Sequence, residues 1–363
     1  MNAPLVFAAL VATSLIAQAR HDDLVPSRSS AVPGAARSPA PRTATAPARK
    51  AYPAYGSVER LSPAFDALVA PGTPMEKLAD GFTWSEGPTW LKRDGALVFS
   101  DVPKNRAYRW SERDGVSVFL EPSGYTGSAL QFREPGSNGL TTDAAGHLYL
   151  CQHGDRRISR LDGKKFTPFA EFFNGRRFSS PNDLVFARDG RLFFTDPPYG
   201  HALLDASPLK EIMFNGVYVR RTDGSVGLVT SKLTFPNGIG LSPDEKTLYV
   251  ANSDPDKAIW MAFPINAEGT LGKGKLIHDA TADVKASPNK GLPDGLKVDA
   301  KGNIFATAVN GVYVFSPEGT LIGRIVTNDK TANCGWGDDG TVLYLTTNDK
   351  LTRVKTTTKG LGW

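Results

Sequence analysis

The chain has 363 residues, of which 40% are hydrophobic and 22% are charged, a composition that indicates a globular protein and excludes a fibrous or disordered one. The formal net charge is +5, but residues 20–56 carry six basic and two acidic side chains, which leaves +1 for residues 57–363. A nearly neutral body excludes the basic surface that nucleic-acid binding requires, so we expect no nucleic-acid partner. The two cysteines, Cys151 and Cys334, are too few for a disulfide scaffold or a thiolate zinc site.

The N-terminal end of the chain is predicted to be a targeting segment followed by a linker. Residues 1–19 form an apolar run that closes on Ala-Gln-Ala, the small-residue pattern of a signal-peptide cleavage site. The run is shorter than the ~20 apolar residues of a membrane span, and an uncleaved anchor is the alternative. Residues 20–56 contain six prolines and nine alanines and predict a disordered linker. We therefore expect a protein exported to the periplasm, with both cysteines free and buried.

The remaining chain, residues 57–363, contains a repeated pattern. A polar or charged residue, usually followed by a glycine, precedes an apolar stretch, an Asp/Gly turn and an aliphatic or aromatic strand. NGLTTDAAGHLYLCQHG and NGIGLSPDEKTLYVANS are two of the copies. Successive copies start 40 to 57 residues apart, a period typical of propellers and other repeat architectures. The six copies begin at Glu86, Asn138, Asn182, Asn237, Asp294 and Cys334.

Each copy predicts two antiparallel strands joined by a tight turn, and more strand-like sequence follows it. Four strands per unit and six units indicate an all-β fold, a six-bladed β-propeller that occupies residues 57–363. A pair of β-sandwiches or an open β-solenoid is the alternative. Only one strand-like segment follows the last copy, and residues 74–79 (PMEKLA) resemble its missing fourth strand. We expect this N-terminal strand to close the ring, because closure removes exposed sheet edges.

The first residue of each copy is expected at one mouth of the central channel, facing the axis. Carboxylate and amide oxygens at this position suit Ca²⁺, which takes six to eight oxygen ligands and tolerates irregular geometry. The alternative is that each Asn-Gly or Asp-Gly is only a turn. Cys334 would add a thiol to the ring. The predicted metal ligands are Glu86, Asn182, Asn237 and Asp294.

Further polar residues are expected around the same mouth. Asn138 shares the ring position, and we favour it as a substrate contact because six protein ligands would crowd out substrate. Three roles are possible for His153: a general base, a hydrogen-bond donor to substrate, or a residue that only fills the rim. Asp196 and Tyr199, in the TDPPYG segment, predict either a rigid turn or a loop that contacts substrate.

These motifs resemble those of the gluconolactonase, regucalcin (senescence marker protein) and lactone-hydrolase-like propellers, and most closely those of bacterial gluconolactonases. The resemblance covers residues 74–363 and depends on SEGPTW, SPNDLVF, TDPPYG, FPNGIGLSPDEKTLYV, GLPDGLKVDAKGNIF and NCGWGDDG in this order. It implies one catalytic divalent cation, usually Ca²⁺, held by one Glu, two Asn and one Asp, which match the four residues predicted above. Regucalcin-type members place a sugar-binding Arg where this chain has Ser180, so their sugar specificity does not carry over through it.

The implied reaction is hydrolysis of a sugar-type lactone to the aldonic acid, with the cation polarising the carbonyl and orienting water. A base is still required, and Asp294 is the first candidate, with His153 as the alternative. Two other functions remain open from the sequence. One is a phosphotriesterase like diisopropylfluorophosphatase on the same metal, and the other is a non-catalytic propeller that binds a ligand.

Overall fold

Short antiparallel strands make up most of the chain, as the repeats predict. The structure is a computed structural model that describes residues 50–128, 132–266, 269–288 and 291–363. The predicted signal peptide and the predicted linker as far as residue 49 lie outside the described residues. Residues Lys50–Trp363 form one compact unit.

The first half of this unit contains two N-terminal strands and three blades, each blade being a four-stranded antiparallel sheet whose strands follow chain order. A 3-10 helix spans Pro63–Ala67, and another, Leu204–Ala206, lies within blade three. The strands are β1 (Ser57–Arg60) and β2 (Met75–Asp80); blade one, β3 (Ser85–Leu91), β4 (Ala96–Asp101), β5 (Arg106–Ser111) and β6 (Gly115–Leu120); blade two, β7 (Ser137–Thr142), β8 (Leu148–Gln152), β9 (Arg157–Asp162) and β10 (Lys165–Ala170); a hairpin of β11 (Phe172–Phe173) and β12 (Arg176–Arg177); and blade three, β13 (Leu184–Phe186), β14 (Leu192–Asp196), β15 (Gly216–Arg220) and β16 (Val226–Thr230).

The second half contains blades four to six and helix α1 (Thr281–Ala286), which precedes blade five. Together the sheets form the predicted six-bladed β-propeller, which is confirmed. The strands are blade four, β17 (Pro236–Leu241), β18 (Thr247–Asp254), β19 (Lys257–Pro264) and β20 (Lys275–Asp279); blade five, β21 (Leu296–Val298), β22 (Ile304–Ala308), β23 (Gly311–Phe315) and β24 (Leu321–Val326); and blade six, β25 (Thr331–Gly337), β26 (Val342–Thr347) and β27 (Lys350–Lys355).

The hydrophobic core lies between the blades rather than at the centre of the propeller. Six clusters of buried apolar side chains each join two neighbouring blades, so every blade packs on both of its faces. Trp110 and Tyr344, with ring centroids 5.6 Å apart, join blades one and six. This arrangement leaves the axis itself to the polar side chains at the start of each inner strand.

Strand β2 closes the ring, as predicted from residues 74–79. It pairs antiparallel with β27 and supplies the fourth strand of blade six, with Met75 opposite Val354. Nε of Arg353 donates to Oε2 of Glu76 at 2.6 Å, which adds an ion pair to the backbone pairing. The first and last parts of the propeller are therefore joined in one sheet.

The structure differs from the sequence interpretation at the end of the predicted linker. Residues 53–55, assigned there to the disordered segment 20–56, pair with the closing strand instead. The backbone N–H of Tyr55 donates to the carbonyl of Met75 at 3.0 Å, and that of Lys77 donates to the carbonyl of Pro53 at 2.9 Å. Strand β1 then adds a fifth strand to blade five. The Pro/Ala-rich composition does not predict these pairings, because they are made by backbone N–H and C=O groups and not by side chains.

Both cysteines are free and buried, as predicted. Among the described residues, no helix has the length and apolar character needed to cross a membrane.

Candidate active site

The start of each inner strand brings a polar side chain to one mouth of the channel. Glu86, Asn138, Asn182 and Asn237 are all buried there. Asp294 is partly exposed, although its Oδ1 is buried. Glycine follows most of these residues, and at Gly238 an added Cβ would lie 2.1 Å from the carbonyl oxygen of Asp294, so the inner strands approach too closely for a side chain.

A chain of hydrogen bonds links three of the predicted site residues. Nδ2 of Asn182 donates to Oδ1 of Asn237 at 2.6 Å, and Nε2 of His153 lies 3.3 Å from Oδ1 of Asn182. Nδ2 of Asn237 then donates to Oγ of Ser253 at 2.9 Å. The structure therefore places His153 beside the ring.

Two carboxylates of the ring repel each other. Burial raises the pKa of Asp294 well above its usual value, and the charge of Glu86 raises it further. Burial also raises the pKa of Glu86, and the charge of Asp183 adds to this effect. Within the described part of the chain, Oδ1 of Asp294 and Oδ1 of Asn138 are buried and accept no hydrogen bond. Buried, repelling carboxylates and unpaired oxygens are the donor set that a cation would satisfy.

The sequence interpretation missed three further side chains close to the ring, Asp183, Lys297 and Asn333, which we call the channel floor. Nζ of Lys297 lies 3.7 Å from Oδ2 of Asp183, and Nδ2 of Asn333 donates to the same oxygen at 3.5 Å. When Glu86, Asp183 and Asp294 are ionised, three carboxylates against one ammonium leave a net charge of −2. This charge equals that of one divalent cation with the sign reversed.

The expected thiol at the axis is wrong by one residue. Cys334 packs in the cluster between blades five and six, and Asn333 takes the ring-side position of blade six. The reason is the alternation of strand β25, which sends consecutive side chains to opposite faces. The signal was present in the sequence, because Asn-Cys stands where other copies have Asn-Gly or Asn-Asp.

Asp196 holds a loop instead of facing the ring. Its two carboxylate oxygens accept the backbone N–H groups of Ser179 and Ser180 at 2.9 and 2.8 Å, and it is fully buried. Burial raises its pKa to about 7, while these hydrogen bonds lower it. The equivalent residues of blades one and four, Asp101 and Asn252, hold the corresponding loops in the same way. The geometry does not support the predicted substrate contact by Asp196.

Tyr199 does lie at the site. Its ring stacks on Phe235, with centroids 6.0 Å apart. Burial raises the pKa of Tyr199, and the charge of Asp294 raises it further. The phenol therefore stays protonated beside the ring and can donate to an oxygen of a bound molecule.

His153 is neutral in this environment. Burial lowers its pKa to about 3, against a hydrogen bond with Asn182 that raises it. Its Nδ1 lies 3.7 Å from Oε2 of Glu134, a buried carboxylate that the sequence interpretation also missed. Arg133 pairs with Glu134 at 2.5 Å, so this carboxylate has its own counter-charge.

The ring can hold a cation only with the help of amide oxygens. Among the residues that the structure describes, no three His, Cys, Asp or Glu side chains are grouped as metal ligands. Two carboxylates and two or more amides remain, which suit a hard cation such as Ca²⁺ and exclude a thiolate or imidazole zinc site here.

Comparisons with known proteins agree with this architecture. Residues 84–349 match the family model described as the SMP-30/Gluconolactonase/LRE-like region. A gluconolactonase of Zymomonas mobilis is 39% identical over 312 residues, covering 84% of this chain and 87% of that protein. A pentonolactonase of Haloferax volcanii is 25% identical over 72% of this chain and 80% of its own length. The solved structure of a gluconolactonase from Xanthomonas campestris is 32% identical, covers 85% of this chain and 99% of that one, and has a TM-score of 0.71.

Proposed function

We propose a cation-dependent mechanism for this chain, which belongs to the SMP-30/gluconolactonase/LRE-like family and is a lactone-hydrolysing enzyme. The proposed substrate is a sugar-type lactone, and the product is the corresponding aldonic acid. The names of the Zymomonas and Xanthomonas relatives support a gluconolactone-like substrate. The mechanism is supported by the oxygen ring at the channel mouth.

The observation that carries the proposal is the excess of negative charge at the axis. The carboxylates of Glu86, Asp183 and the partly exposed Asp294 face one ammonium, and within the described ranges Oδ1 of Asp294 is buried and accepts no hydrogen bond. Such an arrangement is costly unless a cation compensates it. When bound, Ca²⁺ would polarise the lactone carbonyl and orient water. The residues that would hold it are Glu86, Asn182, Asn237 and Asp294.

The remaining residues would bind the lactone and move a proton. Asn138 and Tyr199 can donate to oxygens of the lactone, and those hydrogen bonds strengthen as the carbonyl oxygen gains charge. A water that attacks the carbonyl carbon can pass one proton to the carboxylate of Asp294. The carbon–oxygen bond of the ring then breaks, and the proton moves to the departing oxygen, which yields one hydroxy acid. His153 is the alternative proton acceptor.

The test is a panel of aldonolactones followed by acid release at constant pH. Hydrolysis above the spontaneous rate should disappear after chelation and return on addition of CaCl₂. Chelated enzyme that keeps its full rate would refute the cation mechanism. A fluorophosphate assayed in parallel separates the lactonase from a phosphotriesterase, because a phosphotriesterase would hydrolyse it faster than any lactone.

We also propose that the protein is exported to the periplasm. The apolar run at residues 1–19 and its Ala-Gln-Ala ending support this location. Fractionation of the producing cell, with N-terminal sequencing of the recovered protein, is the test. A cytoplasmic protein that still carries residues 1–19 would contradict it.

A further inference from the structure

A largely buried carboxylate that the proposed mechanism does not use lies close to the channel mouth. Glu134 stands in the connection between β6 and β7, just before the inner strand that carries Asn138. Its side chain is 12% exposed, so protein encloses most of it while a part remains accessible. Burying a charged group costs free energy unless polar partners compensate it, and the partners of Glu134 therefore indicate its use.

The two oxygens of Glu134 have different surroundings. Nε and Nη2 of Arg133 both donate to Oε1, at 3.0 and 2.5 Å. Among the residues that the structure describes, none donates a hydrogen bond to Oε2, which lies 3.7 Å from Nδ1 of His153, beyond hydrogen-bond range. Arg133 thus supplies the counter-charge through one oxygen and leaves the other oxygen able to accept a hydrogen bond.

This second oxygen lies on the side of the ring. Oε2 is next to His153, and Nε2 of His153 lies 3.3 Å from Oδ1 of Asn182. Only the width of one imidazole ring therefore separates Oε2 from a proposed cation ligand. Burial is the main cause of the raised pKa values of Asp294 and Tyr199, and the charge of Glu134 adds to both, which agrees with a position at the mouth.

Backbone contacts hold Glu134 against the loop that carries Tyr199. The N–H groups of Arg133 and Glu134 donate to the carbonyl of Gly200 at 3.0 and 3.5 Å, and Gly200 directly follows Tyr199. A Cβ added at Gly200 would lie 3.0 Å from Cβ of His153, so a side chain there would push the two segments apart. One set of contacts therefore positions Glu134, His153 and Tyr199 together.

Ser180 lies beside the same loop, but its hydroxyl is already used. Oγ of Ser180 donates to the carbonyl of Pro197 at 2.7 Å and accepts the N–H of Gly200 at 2.9 Å, and the residue is fully buried. This hydroxyl therefore holds the loop and does not face a bound molecule. Oε2 of Glu134, by contrast, belongs to a partly accessible side chain and has no donor within the described ranges.

The chemistry of a carboxylate suits the hydroxyl groups of a sugar-type lactone. A carboxylate oxygen only accepts hydrogen bonds, and hydrogen bonds to an ionised acceptor are stronger than neutral ones. When the carbonyl of such a lactone lies at the axis, its hydroxyl groups project from the other ring carbons toward the surrounding wall. A lactone without hydroxyl groups would cover Oε2 and leave it unpaired, which is how sites built to bind hydroxyl groups reject analogues that lack them.

We propose that Glu134 is a specificity-determining residue of the lactonase site, whose Oε2 accepts hydrogen bonds from the hydroxyl groups of a polyhydroxylated lactone. The inference rests on the proposed function, since it takes the lactone to bind with its carbonyl at the axis. Arg133 balances the charge of Glu134 through Oε1, and His153 forms the wall behind Oε2. The site therefore distinguishes a sugar-type lactone from an unsubstituted one.

The test compares D-glucono-δ-lactone with δ-valerolactone, which has the same ring and carbonyl but no hydroxyl groups. Glu134→Ala should lower kcat/KM for gluconolactone by about 10–100-fold, the effect of a lost hydrogen bond to a charged group. The loss should lie in KM, because the hydroxyl groups are bound equally in the ground state and the transition state. The kcat/KM for δ-valerolactone should stay within about twofold. Glu134→Gln keeps the shape of the side chain and should show a smaller loss of the same kind, which also serves if the Ala variant fails to fold.

The matched control is Glu121→Ala. Glu121 lies in the same connection between β6 and β7, and its Oε1 pairs with Nη2 of Arg106 at 2.7 Å on the surface. This variant should leave both lactones within about twofold of wild type. An unchanged kcat/KM for gluconolactone in Glu134→Ala, or equal losses on both lactones, would overturn the proposal. If wild type does not measurably hydrolyse δ-valerolactone, a fall in kcat for gluconolactone at unchanged KM would overturn it instead.

Failure of the proposed function has a different signature. A wild type that hydrolyses δ-valerolactone as well as gluconolactone would refute the sugar-type substrate itself. A wild type that prefers gluconolactone, with the same preference in Glu134→Ala, would overturn the role of Glu134 alone. If chelated wild type keeps its full rate, the cation mechanism is refuted, and the preference between the two lactones still decides the role of Glu134.

Discussion

Asn138 shares the ring position with the four proposed ligands, yet we assign it to the substrate. If it donates to the lactone, Asn138→Ala should lower kcat/KM. The corresponding activation free energy should rise by about 1–3 kcal/mol, the range for a lost polar contact that leaves its partner unpaired. The Kd of Ca²⁺ should stay within about twofold, measured by calorimetry on chelated protein. A large loss of Ca²⁺ affinity would instead make Asn138 a fifth ligand, which its buried, unpaired Oδ1 would permit.

A second substitution distinguishes between His153 and Asp294 as the general base. Burial keeps His153 neutral, with a pKa of about 3, so its imidazole is a weak base, and Asp294 is the proposed proton acceptor. His153→Gln should therefore cost less than tenfold in kcat and leave the pH profile of kcat/KM unchanged. A general base contributes about 10²–10⁴-fold, so a loss of that size with a displaced acidic limb would assign the base to His153.

Asp196 gives a prediction on stability. Burial raises its folded-state pKa to about 7, above its usual value of 3.8, so the folded protein holds this proton more tightly than the unfolded chain. The stabilisation is complete at acid pH and is lost as pH rises between about 4 and 7. Asp196→Asn, the residue that blade four uses at Asn252, lacks this dependence. Wild type should lose about 2 kcal/mol relative to the variant between pH 5 and pH 7 in urea unfolding. Parallel pH curves would contradict the assignment.

At the scale of elements, strand β2 determines whether the ring closes. Its residues pair with β27, and Met75 enters the core cluster between blades five and six. Deletion of residues 1–80 should expose the edge of β27 and cause aggregation. Deletion of residues 1–49 is the control, and its melting temperature should stay within about 2 °C of wild type because it spares every described contact. A soluble, cooperatively unfolding protein without residues 1–80 would refute this closure.

The repeats predicted most of the fold because each blade carries its own strand and turn signals. The position of Glu86, Asn182, Asn237 and Asp294 at one mouth followed from the same register. The sixth copy was misread by one residue, since Cys334 replaces a glycine that marks the register elsewhere. Contacts between blades, such as that of Lys297 with Asp183, leave no local signal in the sequence. The sequence could not show that Asp196 holds a loop, because a carboxylate at the end of a strand can equally well bind a metal ion or a substrate.

At the scale of the whole molecule, the propeller brings one inner strand from each blade to a common axis. Apolar clusters between the blades hold the sheets together, and the axis is left with polar groups that the blades present to one another. A cation there would contact blades one, three, four and five at once through Glu86, Asn182, Asn237 and Asp294. Cation binding should therefore stabilise the ring as a unit, because only the native arrangement presents this set of oxygens.

Glu86→Gln tests this coupling between the site and the fold. The amide removes one of two repelling carboxylates, so the chelated variant should melt at the same temperature as chelated wild type or higher. Ca²⁺ at 100 times its Kd contributes about 2.7 kcal/mol, which should raise the melting temperature of wild type by roughly 3–5 °C and that of the variant far less. Lactone hydrolysis should be lost together with the Ca²⁺ response. Glu112→Gln is the control, because Glu112 pairs with Arg353 outside the channel and should leave both intact. A Glu86→Gln variant that keeps the full Ca²⁺-dependent rise would show that the cation binds elsewhere.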